Sequence, residues 1–195
     1  RLNNLSIEEY YLNTTHQVED FEITVDADMV KCAKVYVDYI DQRMNELDVA
    51  RPLIEEKVNM PEIHEQLWGT ADCILIGKNT LEIVDLKSGK WAVEPDNPQM
   101  RIYALGALSR YGDEDTKVQM TIVQPRGWHK DGPIRSYYIS AINLVEWGYE
   151  TLKPSAEACF EEIPTYNYSE DGCRWCNAKT VCETYKQNQK GEKNG

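Results

Sequence analysis

The sequence lacks the features of a membrane protein and of a protein that coats nucleic acid. No apolar run approaches the roughly 18 residues of a membrane-spanning helix, and no signal-peptide pattern opens the chain. Basic residues are in deficit: 21 Lys and Arg stand against 33 Asp and Glu, a formal net charge of −12. This acidic balance argues against a protein that coats DNA or RNA through bulk electrostatics. It does not exclude a nuclease, whose metal ions and local basic groove can offset acidic surroundings.

Half of the cysteines lie in one short stretch. Of six cysteines, Cys173, Cys176 and Cys182 form C-x2-C-x5-C in "CRWCNAKTVC". In a chain without a secretion signal, clustered cysteines more often bind metal than form disulfides, which favours a reducing, cytoplasmic location. The other three, expected to be buried or incidental thiols, are Cys32, Cys73 and Cys159.

Hydrophobic periodicity predicts an α/β protein with a mixed central sheet flanked by helices. The hairpin link is at residues 77–79, and the helix at 97–112 is a crossover between strands. The predicted helices are 26–50, 97–112 and 141–153, the last ended by Pro154, and the predicted strands are 52–60, 67–77, 80–89, 117–126 and 136–140.

The length predicts a single domain over residues 1–185. It would comprise a polar peripheral segment (1–25), the first helix, a core (53–153) and the cysteine cluster (170–185), followed by a flexible tail at 186–195.

Two aspartates and a lysine lie in the apolar stretch "GTADCILIGKNTLEIVDLKSGK", residues 69–90. Strand alternation puts Asp85 and Lys87 on one side, and a short hairpin can bring Asp72 beside Asp85. Two such carboxylates repel unless a cation lies between them. Mg²⁺ prefers carboxylates, a carbonyl and water, and a nearby lysine can act on the water or on charge developing on a phosphate. The pattern favours metal-assisted hydrolysis of a phosphodiester.

The plainer interpretation is that D-x-K is accidental, because the motif is common and strand ends often carry solvated charges. The chain would then be a structural zinc protein that owes its metal to the cysteine cluster.

Several motifs together resemble the RecB-like branch of the PD-(D/E)xK nuclease superfamily. G-T-x-D at residues 69–72 is followed by V-D-L-K-S-G at 84–89, which resembles the branch's [VI]-[DE]-x-K-[ST]-G motif. Gln99 and Tyr103 match its Q-x3-Y motif, and "IEEKVNM" at 54–60 resembles the strand that supplies a glutamate.

The layout is most similar to phage-encoded RecB-like proteins, in which "QPR", here residues 124–126, also follows the crossover helix. The resemblance covers roughly residues 53–182. It implies a restriction-endonuclease-like core with a C-terminal cysteine-rich metal-binding segment.

The resemblance also implies a role for each matching residue. Asp72 and Asp85, with the Leu86 carbonyl, would hold Mg²⁺ or Mn²⁺. Lys87 would act on the attacking water and on the developing charge. Glu55 would be a metal ligand or would orient a metal-bound water.

Two assignments stay open. Glu55 fits the apolar-Glu-x-[KR]-apolar pattern better than Glu56 does, but this better fit does not exclude Glu56. Gln99 and Tyr103, four residues apart on one helix face, would contact the DNA backbone or brace the lysine. The alternative is an ordinary half-buried helix face.

Histidine marks a departure from the family pattern. Many RecB-like enzymes carry a histidine on a helix before the first catalytic strand, and His16, His64 and His129 do not match it. Either that helix precedes residue 1 or the protein works without the histidine. The departure supports a non-cleaving DNA-binding or scaffold protein as an alternative function.

The cysteine cluster can converge on zinc or on an iron–sulfur cluster, and spacing alone does not choose between them. Its C-terminal position resembles the iron–sulfur staple of AddB-type and CRISPR-associated RecB-like nucleases, in which a fourth cysteine lies far upstream. The resemblance implies a 4Fe–4S cluster of structural role, with Zn²⁺ as the alternative.

Phosphate contacts are expected first from Lys90 and Arg126, which lie nearest the motifs. Weaker candidates are Lys57, Arg101, Lys130 and Arg135.

The sequence as a whole predicts an Mg²⁺- or Mn²⁺-dependent nuclease. The resemblance implies an exonuclease that acts on single-stranded or duplex DNA ends in phage recombination or repair. Its implied partners are phage recombination proteins. An endonuclease with the same site is the closest alternative.

Overall fold

The computed structural model describes residues 6–162 and 166–191. The chain forms two compact units, Arg1–Lys153 and Pro154–Gly195, and the domain predicted over residues 1–185 includes parts of both. Within the described residues, no helix is both long and apolar enough to cross a membrane.

A five-stranded mixed sheet forms the centre of the first unit, as the sequence predicts. Its strands are β3 (Leu53–Asn59), β4 (Trp68–Ile76), β5 (Thr80–Leu86), β6 (Lys117–Val123) and β7 (Ile134–Ser140). They lie in the order β3-β4-β5-β6-β7. β5 and β6 are parallel, and every other neighbouring pair is antiparallel.

Helices cover both faces of this sheet. Ile40 of α2 (Ala27–Leu47) packs with residues such as Cys73 and Val84 on one face. On the other face, α3 (Pro98–Tyr111) connects β5 to β6 and packs with residues such as Ile83. β5 and β6 are therefore buried on both sides, which accounts for their nearly continuous apolar sequence.

The two long helices begin at the predicted caps. The Asp26 side chain accepts a hydrogen bond from Met29 N–H, and the Asn97 side chain accepts one from Met100 N–H. Pro98 lies in the first turn of α3, where its missing N–H costs nothing.

The segment before α2 contains regular structure that was not predicted, and the predicted end of a helix at Pro154 is wrong. Residues 6–25 contain α1 (Ile7–Tyr11) and a hairpin of β1 (Thr15–Val18) and β2 (Phe21–Thr24). The sequence does not predict this hairpin, because nearly all of its residues are exposed and its strands therefore need no apolar face.

Pro154 does not end the helix that precedes it. α4 (Ala141–Trp147) continues through a π-helical turn (Gly148–Leu152) into α5 (Lys153–Ala158). The wider turn accommodates a proline that lacks the N–H of a regular helix.

In the second unit, α6 (Glu170–Arg174) precedes α7 (Glu183–Gly191), so residues 186–191 of the predicted tail are helical.

A buried polar network lies on the α2 face of the sheet and was not predicted. Glu82 is fully buried on β5. Its carboxylate pairs with Arg43 Nε at 2.7 Å and accepts hydrogen bonds from the Tyr39 and Thr121 hydroxyls at 2.6 and 2.8 Å and from the Gln119 amide at 3.1 Å. This network joins α2 to β5 and β6.

Candidate functional site

Asp72 and Asp85 lie opposite each other where β4 and β5 meet. Cys73 pairs with Val84, so the two aspartates are next in the same antiparallel register. Asp72 Oδ2 also accepts a hydrogen bond from the Leu86 N–H at 2.9 Å. The strand pairing thus brings together the two acids that the sequence places 13 residues apart.

Asp85 is the buried member of this pair, with 2% exposure. Burial raises the pKa of Asp85; Lys87 opposes that shift, and the Asp72 charge adds to it. Lys87 Nζ lies 2.9 Å from Asp85 Oδ2, but Oδ2 accepts no well-aligned hydrogen bond from any described residue. The atom is therefore a buried acceptor with unused capacity.

Lys87 connects this carboxylate to α3. Its Nζ donates to Gln99 Oε1 at 2.8 Å, and Gln99 Nε2 donates to the Tyr103 hydroxyl at 2.9 Å. Gln99 and Tyr103 lie one turn apart on the first half of α3, so the helix fixes their spacing. Of the two roles considered for Gln99, its contact is that of a brace for the lysine.

The two neighbouring glutamates of β3 have different surroundings. Ile54 and Glu56 pair with Cys73 and Ala71, which places Glu55 opposite Asp72 in the register. Glu55 has a left-handed backbone with φ of 52°, a strained conformation for a non-glycine residue.

Glu56 instead contacts the end of α3. Its Oε1 accepts hydrogen bonds from Arg110 at 2.9 Å and from the Tyr111 hydroxyl at 2.8 Å. Glu56 is thus engaged at the end of α3, whereas Glu55 lies beside Asp72 in the register without forming a three-acid metal group with Asp72 and Asp85 in the described structure.

Gly69, the first residue of the G-T-x-D motif, makes room for Tyr103. A Cβ at this position would lie 2.5 Å from Tyr103 Cε1, well inside contact distance. We expect Gly69→Ala to displace the ring, break its hydrogen bond to Gln99 and lower the free energy of unfolding by about 1–3 kcal/mol in urea denaturation.

Gly89→Ala is the matched control, because a Cβ there would meet no atom within 4 Å. Equal unfolding free energies for the two variants would contradict the close packing of Gly69 against Tyr103.

Tyr36 of α2 approaches the site from the opposite face of the sheet. Its hydroxyl donates to the Val84 carbonyl at 3.4 Å. Burial raises the pKa of Tyr36, and the charges of Cys73 and the three site acids raise it further. The sequence placed Tyr36 only on an apolar stripe, and no local signal indicated that it would approach the acids.

The raised pKa of Asp85 predicts a specific pH dependence of stability. The native state holds this proton more tightly than the unfolded state, so stability falls as pH rises from about 4 through the native pKa. Asp85→Asn removes the charge. The variant should be more stable than wild type by about 1 kcal/mol at pH 7, with no such gain near pH 3.

Urea denaturation at the two pH values measures this difference. A gain of equal size at both would show that asparagine packs better, and that the Asp85 charge is not the cause.

The candidate phosphate contacts occupy different environments. Lys90 is exposed in the loop after β5, whereas Arg126 Nε is paired with Asp28 of α2 at 2.6 Å. Arg101 is paired with Asp96. Arg135 is buried and donates to the Val93 carbonyl and to Gln124, so it is not available to DNA.

The Gln124 side chain holds the loop that carries Lys90. Its Nε2 donates to the carbonyls of Gly89 and Trp91 at 2.9 and 2.7 Å, and its Oε1 accepts from the Val93 N–H at 3.0 Å. The QPR motif therefore contributes a loop brace in Gln124. No local sequence pattern indicates this contact.

The acid pair suits a hard divalent cation. Within residues 6–162 and 166–191, no three His, Cys, Asp or Glu side chains form a group that could hold a metal ion. Mg²⁺ nevertheless keeps several waters and is often bound through one or two carboxylates. The buried, underused oxygen of Asp85 beside Asp72 fits that requirement, with the Leu86 carbonyl adjacent in the chain.

The cysteine cluster lies in the second unit. Cys176 is exposed, and Cys173 and Cys182 are partly exposed. Since the described residues contain no metal-competent group of three, these thiols do not converge on a common point in this structure. Cys32 and Cys73 are buried, as expected, while Cys159 is exposed.

Comparison with known proteins gives a family but no activity. A family model described as "Protein of unknown function (DUF2800)" matches residues 2–194. A solved structure titled "Crystal structure of SSO0001" is similar over 82% of this chain and 72% of its own, at 13% identity and a TM-score of 0.38, which supports no inference about function.

Proposed function

This chain belongs to the DUF2800 family, proteins of unknown function, and from its own site we propose that it is a metal-dependent deoxyribonuclease. The observation that supports the proposal most is the continuous arrangement of Asp72, Asp85, Lys87 and Gln99. The motif resemblance to RecB-like nucleases supports the same residues independently of their geometry.

The acids form the cation-binding part of the proposed site. Asp72 and Asp85, with the Leu86 carbonyl, would hold Mg²⁺ or Mn²⁺, and Glu55 would orient water from the neighbouring strand. The bound ion would supply charge neutralisation and an activated water for attack on the scissile phosphate. Burial of Asp85 favours binding of a cation, because a cation relieves the cost of a buried carboxylate.

Lys87 would act on the phosphate. An ammonium positioned by Gln99 can donate to a phosphate oxygen as negative charge develops there, or exchange a proton with the attacking water. Tyr103 holds Gln99 and so restricts the lysine to one orientation. Lys90 and Arg126 would contact the DNA backbone outside the reacting phosphate.

Exonuclease action on DNA ends in phage recombination or repair, and a cytoplasmic location, rest on the RecB-like resemblance. So does the proposal that Cys173, Cys176 and Cys182 hold a 4Fe–4S cluster or Zn²⁺. Metal analysis and the visible absorption spectrum of protein purified without oxygen would distinguish iron–sulfur from zinc.

The direct test is hydrolysis of end-labelled linear DNA with Mn²⁺ or Mg²⁺, stopped by EDTA. We expect the Lys87→Met variant to lose about 10²-fold in rate, because it keeps the acids but lacks the ammonium. Lys78→Met, in the exposed hairpin turn, is the matched control and should retain the wild-type rate.

Closed circular DNA separates the two enzymatic alternatives. An exonuclease degrades only the linear substrate, whereas an endonuclease cuts both. Absence of metal-dependent cleavage on either, with DNA binding retained, would favour the non-cleaving scaffold. His129 contacts Glu94 and His16 contacts Thr14, and neither partner is a proposed catalytic residue.

A further inference from the structure

An open apolar groove lies at the end of α3 that is remote from the acid site. Its volume is about 670 Å³. It runs between α3 and α4, and its floor includes Ile63, Leu105, Leu108, Ile142, Val145 and Tyr149. Leu108 is nine residues after Gln99, so the groove lies about 14 Å along the helix axis from the proposed site.

The exposed side of α4 and of the π-helical turn that follows it provides much of the apolar surface. Ile142 and Val145 of α4 are 66% and 39% exposed, and Tyr149 of the turn is 50% exposed, at the i, i+3 and i+7 positions. Across the groove, Leu105 and Leu108 of α3 are buried and line its floor, and Gly112, which caps α3, adds no side chain. An exposed apolar helix face beside an open groove is the type of surface that receives an amphipathic helix.

The rim of the groove has a single sign of charge. Its charged lining residues are Glu62, Asp113, Glu114 and Glu146, and no described Lys or Arg lines it. Lys153 donates to the Glu62 and Ile63 carbonyl oxygens but is not part of the lining. An acidic rim around an apolar floor selects against anions and favours a cationic ligand with an apolar face.

We propose that this groove binds a basic amphipathic helix of a partner protein. The helix would place large apolar side chains between α3 and α4 and its Lys or Arg side chains beside the rim carboxylates. A second copy of this chain is the weaker candidate, because a symmetric contact would bring the two acidic rims together. DNA is excluded from this face by the same charges.

Two fluorescent helical peptides of about 18 residues test the proposal. Both carry Leu on one face; one has Lys and the other Glu on the polar face. The Lys peptide should bind the full chain, weaken on about tenfold higher salt, and bind at least about tenfold more weakly to Ile142→Ser and to Glu146→Lys. The Glu peptide should not bind.

Both substituted side chains are exposed, so the fold should persist. Glu150→Lys, an exposed charge reversal outside the groove lining, is the matched control and should bind the Lys peptide almost as wild type does. Failure of both peptides to bind, equal binding of the two, or unchanged affinity of Ile142→Ser would overturn the proposal. Self-association of the chain in sedimentation that Ile142→Ser abolishes would replace it by a dimer interface.

Discussion

The Asp85→Asn variant should lose at least about 10³-fold of Mn²⁺-dependent DNA hydrolysis while remaining folded. The substitution keeps the side-chain shape but removes the charge that would bind the cation and position Lys87. Rates on end-labelled linear DNA, measured against an EDTA background, give the effect directly.

The same variant is expected to be more stable than wild type at neutral pH, because it removes a buried charge. Loss of activity with a gain of stability is the behaviour of a functional residue that costs stability. Asp38→Asn, on the exposed side of α2, is the control and should change neither property. An Asp85→Asn rate equal to wild type would remove the nuclease proposal.

The Arg43→Met variant should be destabilised by about 3 kcal/mol or more in urea denaturation. Arg43 is the cation paired with the fully buried Glu82 carboxylate, and its loss leaves that charge with only neutral donors. Methionine keeps the apolar part of the side chain, so the measured loss reports the charge.

A double-mutant cycle with Glu82→Gln isolates this interaction. The double variant should recover much of the loss, because neither charge then remains. Lys34→Met removes an exposed ion pair on the same helix and should cost less than about 0.5 kcal/mol. Strictly additive effects of Arg43→Met and Glu82→Gln would contradict a direct charge pair.

The sheet and the acid pair could be predicted because their signals are local. Asp85 and Lys87 are two residues apart at a strand end, and a three-residue turn fixes the approach of Asp72. Gln99 and Tyr103 follow from helical spacing. These inferences need only the periods of strand and helix and one short hairpin.

Other features depend on contacts between distant segments. The Glu82 partners come from α2 and β6, between 37 and 43 residues away, so the local sequence indicates neither that Glu82 is buried nor which group neutralises it. The strained φ of Glu55, which lies between two paired residues of β3, is likewise not indicated by any local pattern.

Pro154 shows a different limit of sequence patterns. Proline normally ends a helix, and the π-helical turn before it has no distinctive residue pattern that would predict continuation. Whether the helix continues past Pro154 depends on the hydrogen-bond geometry over Gly148–Leu152, and no residue pattern indicates that geometry.

The most direct test of the acid site is a crystal soaked with Mn²⁺ and measured at the manganese absorption edge. The proposal predicts one anomalous peak within coordination distance of both Asp72 and Asp85, absent from Asp85→Asn crystals. A wild-type crystal with no peak between these carboxylates, or a peak that persists in the Asp85→Asn crystals, would contradict it.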